Sequence, residues 1–285
     1  MKTLHPLLLV CLILISNKAF TQIQLESVDA PMDISGHPKE DEINQKGYGE
    51  VTFTYEELSK TYKGQFSKSL AHGTGILNYA NGDIYEGEFY DGKKHGYGTL
   101  RFFNAETYEG EFVENFRYGE AVITYDNGSR YEGEFRNQSK NGQGVLTWGN
   151  GDKYEGKFLN GQPHGQGVIT KGNGDKYEGE FLNGLPHGQG MLTWADARYE
   201  GEFRNGQKHG QGVLTWADGY INRGEFTNDL FHGKGVHTVP DGTSYEFTWK
   251  NDKCVVGKGK VIYPNGKTCE ALCNEDGAFA PLCNP

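Results

Sequence analysis

The chain has 285 residues and a formal net charge of −10 at neutral pH, with 42 glycines and 5 cysteines. Its basic residues form no patch suited to the phosphate backbone of a nucleic acid. The same negative charge is repelled by anionic lipid headgroups. Composition therefore argues against nucleic-acid binding and against purely electrostatic binding to a membrane.

Residues 1–21 have the layout of a secretory signal peptide. Lys2 gives a positive start, residues 7–15 form an apolar run, and a polar stretch with the small residues Ala19 and Thr21 follows. The run is well short of the roughly 20 residues that a membrane-spanning helix needs. We expect this peptide to be removed and the protein to be secreted into an extracellular or periplasmic space. The mature chain loses two lysines and no acid, so its net charge becomes −12.

Residues 22–46 form an acidic lead-in. This stretch is rich in Asp and Glu, contains Pro31 and Pro38, and has few side chains suited to a core. Such a composition predicts disorder. From Gly47 onward the sequence resembles the second strand of the repeat that follows, so we expect the repeat array to occupy residues 47–253.

A Tyr-x-Gly-x-Phe pattern returns about every 23 residues between Tyr62 and Tyr245. A fixed spacing of roughly 20–50 residues is typical of stacked repeat proteins. The regular aromatic pairs, predicted to form the structural core, are Tyr85 and Phe89, Tyr108 and Phe112, Tyr131 and Phe135, Tyr154 and Phe158, Tyr177 and Phe181, and Tyr199 and Phe203. Asn222 later takes the Tyr position, and Phe247 takes the Gly position.

Each repeat is predicted to be a β-hairpin. The segment from Tyr154 to Phe158 alternates small or aromatic residues with charged ones, which is the period of a strand. Asn160-Gly161 follows as a two-residue hairpin turn, and residues 164–170 form a second strand. Alternation places the aromatic residues and the strand glycines on one face. Because glycine is costly inside a strand, we expect the rings to lie across its bare backbone.

The repeated elements Tyr-Glu-Gly-Glu-Phe, Asn-Gly, His-Gly-x-Gly, Leu-Thr-Trp and Asn-Gly-Asp cover about residues 47–268. This pattern resembles the MORN (membrane occupation and recognition nexus) repeat family. The resemblance implies an all-β fold, an elongated single-layer twisted antiparallel sheet of successive hairpins, or β-hairpin solenoid. With about nine repeats of two strands, such a sheet would be about 85 Å long.

The resemblance also implies association with membrane junctions, phosphoinositides and cytoskeletal scaffolds. Lys93, Lys94, Lys140 and Lys208 keep the basic character that similar repeats show near the His-Gly-x-Gly element. Several nearby positions are neutral instead, namely Gln143, Gln162, Gln166, Gln189 and Gln211. An exported acidic protein would not meet the phosphoinositides of the cytoplasmic leaflet, so this departure argues against specific phosphoinositide binding.

Histidines recur ten residues after the Tyr position, at His72, His95, His164, His187, His209 and His232. A metal ladder and a pH sensor are the functional alternatives. Equivalent positions lie about 10 Å apart, whereas the ligands of one zinc ion lie within about 2.1 Å of it. We interpret these histidines as turn-adjacent residues that precede a required glycine.

Paired glutamates also recur, at Glu86 and Glu88, Glu109 and Glu111, Glu132 and Glu134, Glu178 and Glu180, and Glu200 and Glu202. A catalytic pair of carboxylates should be singular and enclosed in a cleft, but this pair returns in most repeats. We interpret it as a solvated face, with weak calcium binding as the alternative.

The four cysteines of the mature chain, Cys254, Cys269, Cys273 and Cys283, lie in residues 254–285. We expect this segment to be an atypical cap that closes the array. Their spacing lacks the paired C-x₂₋₄-C of structural zinc sites, so two disulfides are predicted. Three pairings are open. The Cys269–Cys273 pairing fits least, because strand residues four apart are about 13 Å apart. Disulfides imply an oxidising compartment.

The sequence contains no recognisable catalytic, cofactor-binding or metal-binding motif. The Gly-x-Gly pairs precede strands rather than helices, so they lack the helix N-terminus of a phosphate site. Asn127 and Asn137 begin glycosylation acceptor sequences, which apply if a eukaryotic secretory pathway makes the protein.

We therefore predict an exported, non-enzymatic repeat scaffold without a cofactor. Its long face would bind a protein or glycan partner, or a second copy of the chain, but no nucleic acid. The alternative is a peripheral module that binds phospholipid membranes. A more remote alternative is a hydrolase of envelope or matrix polymers, with its site in the irregular ends of the array.

Overall fold

The computed structural model describes residues 31–33, 35, 39–55 and 58–283, with the backbone alone for residues 50–55 and 58–59. The predicted signal peptide lies outside the described residues. The chain divides between Gln162 and Pro163 into an N-terminal and a C-terminal compact unit.

The N-terminal unit contains one helix and a series of strands. In chain order these are α1 (Glu40–Lys46), β1 (Tyr48–Tyr55), β2 (Leu58–Ser67), β3 (Leu70–Asn78), β4 (Ile84–Tyr90), β5 (Lys93–Arg101), β6 (Thr107–Val113), β7 (Phe116–Thr124), β8 (Arg130–Arg136), β9 (Ser139–Thr147) and β10 (Lys153–Leu159). From β1 to β10, each strand pairs antiparallel with the next.

The C-terminal unit continues the same hairpin pattern. Its strands are β11 (Gln162–Thr170), β12 (Lys176–Leu182), β13 (Leu185–Trp194), β14 (Ala197–Arg204), β15 (Gln207–Trp216), β16 (Ile221–Thr227), β17 (Leu230–Thr238), β18 (Ser244–Lys250), β19 (Lys253–Cys254), β20 (Gly257–Ile262), β21 (Thr268–Cys273) and β22 (Phe279–Pro281). Neighbours pair antiparallel, and β19 and β20 both pair with β18. The predicted all-β class, built from successive antiparallel hairpins, is confirmed.

Helix α1 lies within the lead-in for which the sequence predicts disorder. A helix of 7 residues is too short to be stable alone. Its Ile43 is buried, and its Asn44 amide donates to Ser69 Oγ at 3.0 Å and accepts from the Ser69 backbone N–H at 3.2 Å. These tertiary contacts hold the helix against β1, β2 and the turn that follows β2, and composition does not reveal them.

A bulge recurs in the second strands β3, β5, β7, β9, β13, β15 and β17 and is not apparent from the alternation pattern. In β9, Lys140 pairs with Phe135 and Gly144 pairs with Gly133, so β9 has two more residues between these pairs than β8. Gly142 lies in the bulge with φ 81°, a conformation that disfavours other residues. Because the offset is an even number, the residues on both sides of the bulge keep the same face.

The Tyr and Phe side chains form the core of each unit. The tyrosines are at most 1 % exposed, at positions 62, 85, 108, 131, 154, 177 and 199. Tyr108 packs edge-to-face on Phe112 of its own repeat at 5.0 Å and on Phe135 of the next at 5.4 Å. Its hydroxyl donates to the Glu111 carbonyl at 2.8 Å. The same contacts recur along each unit, so each rung is interlocked with its neighbour.

A compensating substitution maintains the core where Asn222 takes the Tyr position. Phe231, which belongs to the facing strand β17, covers Gly235 instead, and a Cβ on that glycine would lie 2.2 Å from Phe231 Cζ. Asn222 is buried and its Oδ1 lies 2.7 Å from His237 Nδ1. The strand glycine is thus covered by an aromatic ring even where the repeat sequence degenerates.

At the C-terminal end one disulfide joins β19 to β21, and a second joins β21 to the segment just after β22. Cys254 is bonded to Cys273 and Cys269 to Cys283, with Cα separations of 6.1 and 6.3 Å. Cys254 occupies the position of Arg117, and Cys273 occupies the Phe position of the next repeat. Arg117 itself lies 5.9 Å from the ring of the next repeat's phenylalanine. The Cys254–Cys273 bond therefore takes the place of the contact that Lys94 and Arg117 make with the phenylalanine of the next repeat.

Reduction of both disulfides is expected to loosen β19–β22 selectively. These short strands depend on covalent links, whereas β12–β16 are held by aromatic rungs, and stability in repeat arrays is largely a sum of neighbouring contacts. Hydrogen exchange in reductant should accelerate by at least about tenfold in the cap while β12–β16 stay protected. The oxidised protein is the control, and simultaneous loss of protection in β12–β16 would contradict the prediction.

Candidate functional site

The candidate functional site is the sheet face opposite the aromatic core, which we call the carboxylate face. It carries the paired glutamates of the repeats, which are exposed apart from the half-buried Glu202. In the N-terminal unit these are Glu86 and Glu88, Glu109 and Glu111, and Glu132 and Glu134. Because strand side chains alternate between faces, this surface is presented to solvent by the same pattern that buries the aromatic residues.

The first glutamate of a repeat makes surface ion pairs. Glu86 lies 3.4 Å from the Arg101 guanidinium, and Glu132 lies 2.5 Å from Arg130. Both partners of each pair are about half exposed, so each pair stabilises the fold by no more than about 1 kcal/mol. These carboxylates belong to a solvated, partly neutralised surface.

The second glutamate has a structural role that sequence reasoning missed. Glu134 accepts a hydrogen bond from the Gln143 backbone N–H at 2.8 Å, and Glu180 accepts one from Gln189 at 3.0 Å. These bonds tie the carboxylate to the strand just past the bulge glycine. The signal in the sequence is the constant spacing between this glutamate and the His-Gly element. The two glutamates are therefore not a matched acid/base pair.

The recurring histidines precede glycines with positive φ, as at His95 before Gly96, with φ 58°. In the part of the chain that the structure describes, no group of three or more His, Cys, Asp or Glu side chains is arranged to hold a metal ion. The position of the histidines beside the bulge agrees with their interpretation as turn-adjacent residues.

The basic residues expected near the His-Gly-x-Gly element are mostly not on the surface. Of the four lysines, Lys94, Lys140 and Lys208 are buried in the aromatic face and Lys93 is partly exposed; Arg117, at the position equivalent to Lys94, is buried as well. Lys94 Nζ donates to Tyr79 Oη at 3.0 Å, and Lys140 Nζ lies 5.0 Å from the centre of the Tyr131 ring. Aromatic rings attract cations through their negative faces, which offsets part of the cost of burying a charge. These lysines are therefore withdrawn from contact with lipid headgroups.

Replacing Lys140 by Met is expected to change the pH dependence of stability. Burial, together with the Arg117 charge, lowers the pKa of Lys140 to about 8, from about 10.4 in an unfolded chain. Between these values the unfolded state binds more protons, so the free energy of unfolding of the wild type rises with pH. Below the pKa of Lys140 in the folded state, its side chain is charged, and the free energy of unfolding is lowered by the full cost of burying that charge.

Between about pH 7 and pH 9, the free energy of unfolding of the wild type should therefore rise by about 1 kcal/mol relative to that of Lys140→Met. Urea denaturation at both pH values measures the difference. Lys63→Met, at an exposed lysine, is the control and should show no such change. A constant difference between Lys140→Met and the wild type would contradict the lowered pKa.

The two predicted glycosylation positions are both exposed. Asn127 lies in the turn between β7 and β8, where its Oδ1 accepts a hydrogen bond from the Ser129 backbone N–H at 2.9 Å. Asn137 lies in the turn between β8 and β9, with φ 48°. The two acceptors therefore lie at opposite ends of strand β8.

Exposed tyrosines distinguish the carboxylate face of the N-terminal unit. Tyr97 is 59 % exposed and Tyr118 is 43 % exposed. Tyr97 lies where four other repeats have glutamine, and Tyr118 lies where most have histidine. The sequence shows both departures, but only the structure places the two rings on the same exposed face.

No helix in the described ranges is long and apolar enough to cross a membrane.

Comparison with known proteins identifies a repeat family. The MORN repeat model matches nine segments, residues 62–84, 85–105, 108–130, 131–153, 154–176, 177–196, 199–219, 223–244 and 248–268. A search of curated proteins gives no significant match.

Some solved structures align with the chain over much of its length. The SAS-4 (dCPAP) TCP domain of Drosophila melanogaster, in complex with a proline-rich motif of Ana2 (dSTIL), is 12% identical, with a TM-score of 0.21, and the alignment covers 78% of this chain and 88% of that one. The G-box domain of the microcephaly protein CPAP is 13% identical, with a TM-score of 0.19. That alignment covers 83% of this chain and 100% of the G-box chain. A catalytically inactive virginiamycin B lyase from Staphylococcus aureus, with quinupristin, is 12% identical, with a TM-score of 0.14. That alignment covers 82% of this chain and 84% of the lyase chain.

TM-scores this low carry no argument about function. The family match is different, because its segments cover most of the chain and follow the hairpins of the structure one by one. The chain belongs to the MORN repeat family.

Proposed function

We propose that the protein is an exported, non-enzymatic repeat scaffold whose carboxylate face binds a protein or glycan partner, or a second copy of the chain. The observation that carries the proposal is the set of exposed tyrosines on this face, where the repeat otherwise has polar residues. Tyrosine is enriched at binding interfaces because its ring is large and rigid and its hydroxyl tolerates water. MORN repeats form a binding module rather than a catalytic one, which supports the same function.

Export is supported by the two disulfides, which are compatible with an oxidising extracellular or periplasmic environment. The signal-like residues 1–21 are the second support. Expression of the full chain, followed by N-terminal sequencing of the secreted protein, tests this part of the proposal. We expect a mature chain that begins at about residue 22 and contains no free thiol. Retention of the intact chain in a reduced form inside the cell would count against export.

Phospholipid binding remains the competing function, and the buried cations are the observation against it. Flotation of the mature protein with neutral and with anionic vesicles tests whether the protein binds phospholipid membranes. We expect no binding that depends on anionic lipid, because Lys94, Lys140 and Lys208 lie in the core and the mature charge is −12. Flotation with anionic vesicles alone would favour the membrane module.

Partner binding is tested directly by pull-down from the native extracellular or periplasmic fraction and by a glycan array. Light scattering over a range of protein concentrations tests self-association. We expect at least one of these to give saturable binding. A strict monomer without a protein or glycan ligand would contradict the scaffold function.

A further inference from the structure

We propose that the carboxylate face around Glu111 is a docking site for a Lys- or Arg-rich segment of a partner protein, with a cationic side chain held between Tyr97 and Tyr118. The inference rests on the proposed partner-binding function and specifies the chemistry of the partner.

The strand register places the two tyrosines on either side of one carboxylate. Tyr97 of β5 pairs with Glu111 of β6, and Glu111 pairs in turn with Tyr118 of β7. Paired side chains share a face, so the two tyrosines flank Glu111 at a separation of about two strand spacings, or about 10 Å. That gap leaves room for one extended side chain. A Lys ammonium or Arg guanidinium there would meet two aromatic rings and a carboxylate, which is a favourable environment for a cation.

A like-charge pair next to this site has no evident structural benefit. Glu120 of β7 pairs directly with Glu134 of β8, and both side chains are exposed. Like charges directly opposite each other destabilise a sheet. Gln143, Gln166, Gln189 and Gln211 occupy the position of Glu120 in other repeats. The fold therefore accepts a neutral residue at this position, and the extra carboxylate is a departure that a cationic partner would offset.

The intramolecular ion pairs of this face lie at its margins. Within the described residues, Arg101 contacts Glu86, Arg130 contacts Glu132, and Lys93 contacts Glu114. No ion pair in this part of the chain involves Glu111 or Glu120. The centre of the face thus keeps a concentrated negative charge that complements a basic segment.

An apolar border extends the site toward the hairpin turns. Tyr90 and Val113 are exposed and lie on the same face, next to the second glutamates of their strands, Glu88 and Glu111. Tyr90 packs beside His72 and His95, with ring centres 5.1 and 5.7 Å away. Aromatic anchors surrounded by charge are typical of binding hot spots.

The charge of the site selects among the candidate ligands. A second copy of this chain would bring another acidic surface, and an anionic membrane would be repelled in the same way. A neutral glycan could form hydrogen bonds with the face but carries no charge to complement the clustered carboxylates, whereas a Lys- or Arg-rich segment does. The C-terminal unit has His187 and His209 with Gln189 and Gln211 at the equivalent positions, so the site is confined to the N-terminal unit.

The test uses the mature protein and a fluorescent octapeptide of alternating arginine and glycine, with a glutamine–glycine peptide as the neutral probe. Fluorescence anisotropy at low ionic strength should show saturable binding of the arginine peptide only. The double variant Tyr97→Gln/Tyr118→His should weaken binding at least about tenfold. Both new residues already occur at these positions in other repeats, and the formal charge does not change, so the fold and the general attraction of an acidic protein for arginine are preserved.

Two further variants separate the components of the site. Glu120→Gln should weaken binding and reduce its salt dependence, because one carboxylate is removed. Tyr48→Gln removes an exposed tyrosine outside the site and should leave binding unchanged. The proposal would be overturned if the double variant bound the arginine peptide as tightly as the wild type does. It would also be overturned if the neutral peptide, or neutral oligosaccharides, bound at the same tyrosines as tightly as the arginine peptide.

The outcome is distinguishable from failure of the scaffold function. If a native protein or glycan ligand binds the double variant as tightly as the wild type, the scaffold function holds and this docking site is wrong. If the arginine peptide and every native ligand fail to bind the wild type, both proposals are wrong.

Discussion

Replacing Phe158 by Ala is expected to lower the free energy of unfolding of the N-terminal unit by about 3–5 kcal/mol. Phe158 is 3 % exposed and packs edge-to-face on two tyrosines, Tyr131 at 5.0 Å and Tyr154 at 5.1 Å. Removing the ring leaves a cavity between two repeats, and both tyrosines lose an aromatic partner. The rest of the core cannot close this gap without moving a whole hairpin.

Chemical denaturation of the mature protein measures this loss, with Leu159→Ala as the matched control. Leu159 is the next residue on the same strand, but it points to the other face and is 44 % exposed. Its truncation should change stability by no more than about 0.5 kcal/mol. Similar losses for the two variants would mean that the aromatic face is not the core.

The sequence predicts the repeat, the hairpins and the shared face of the aromatic residues because each depends on local chemistry. The Tyr154-to-Phe158 segment has the period of a strand, and Asn160 with φ 50° and Gly161 with φ 83° make the tight turn that their residue types favour. Counting alternation along β9 also predicts the correct face, although it misses the bulge at Gly142. An offset of two residues does not change which face a side chain occupies.

Features that depend on contacts between repeats are harder to predict. Lys94 lies on the aromatic face by alternation, yet a lysine is expected at the surface, and its burial follows from the position of Tyr79 in the preceding turn. The Cys254–Cys273 pairing follows from another contact between repeats, the one that Arg117 makes with Phe135 of the next repeat. Sequence reasoning left three pairings open, because it did not consider which position of one repeat meets the Phe position of the next.

The candidate docking site was only partly visible in the sequence. Tyr118 stands out as the residue that replaces a histidine, but Tyr97 and Glu120 become meaningful only when the register places them around Glu111 and Glu134. In a repeat protein, most residues are explained by their equivalents in other repeats. Several neighbouring residues that differ from their equivalents in other repeats, on an exposed face, are therefore the best indication of function. This holds where the fold would also accept the residue that the other repeats have at each position.

Replacing Gly87 by Val is expected to destabilise the N-terminal unit by about 3 kcal/mol, because it overpacks the sheet and displaces a core ring. A Cβ at Gly87 would lie 2.5 Å from the backbone Cα of Gly98 and 2.6 Å from Tyr85 Oη. The strand spacing is fixed by hydrogen bonds, so the Tyr85 ring has to leave its site. Glu86→Val, at the preceding exposed position, is the control and should have an effect within about 1 kcal/mol, since it removes a surface ion pair with Arg101.

The chain already contains a rung in which the glycine position is filled. Phe247 takes that position in β18, and Tyr245 is no longer fully buried but packs on Phe279 at 4.7 Å. Burial raises the pKa of the Tyr85 phenol in the wild type, so its displacement should add one tyrosine that ionises near the ordinary pKa of about 10. Spectrophotometric titration of the folded variant measures this change, and an unchanged titration together with unchanged stability would show that the ring does not lie on the glycine backbone.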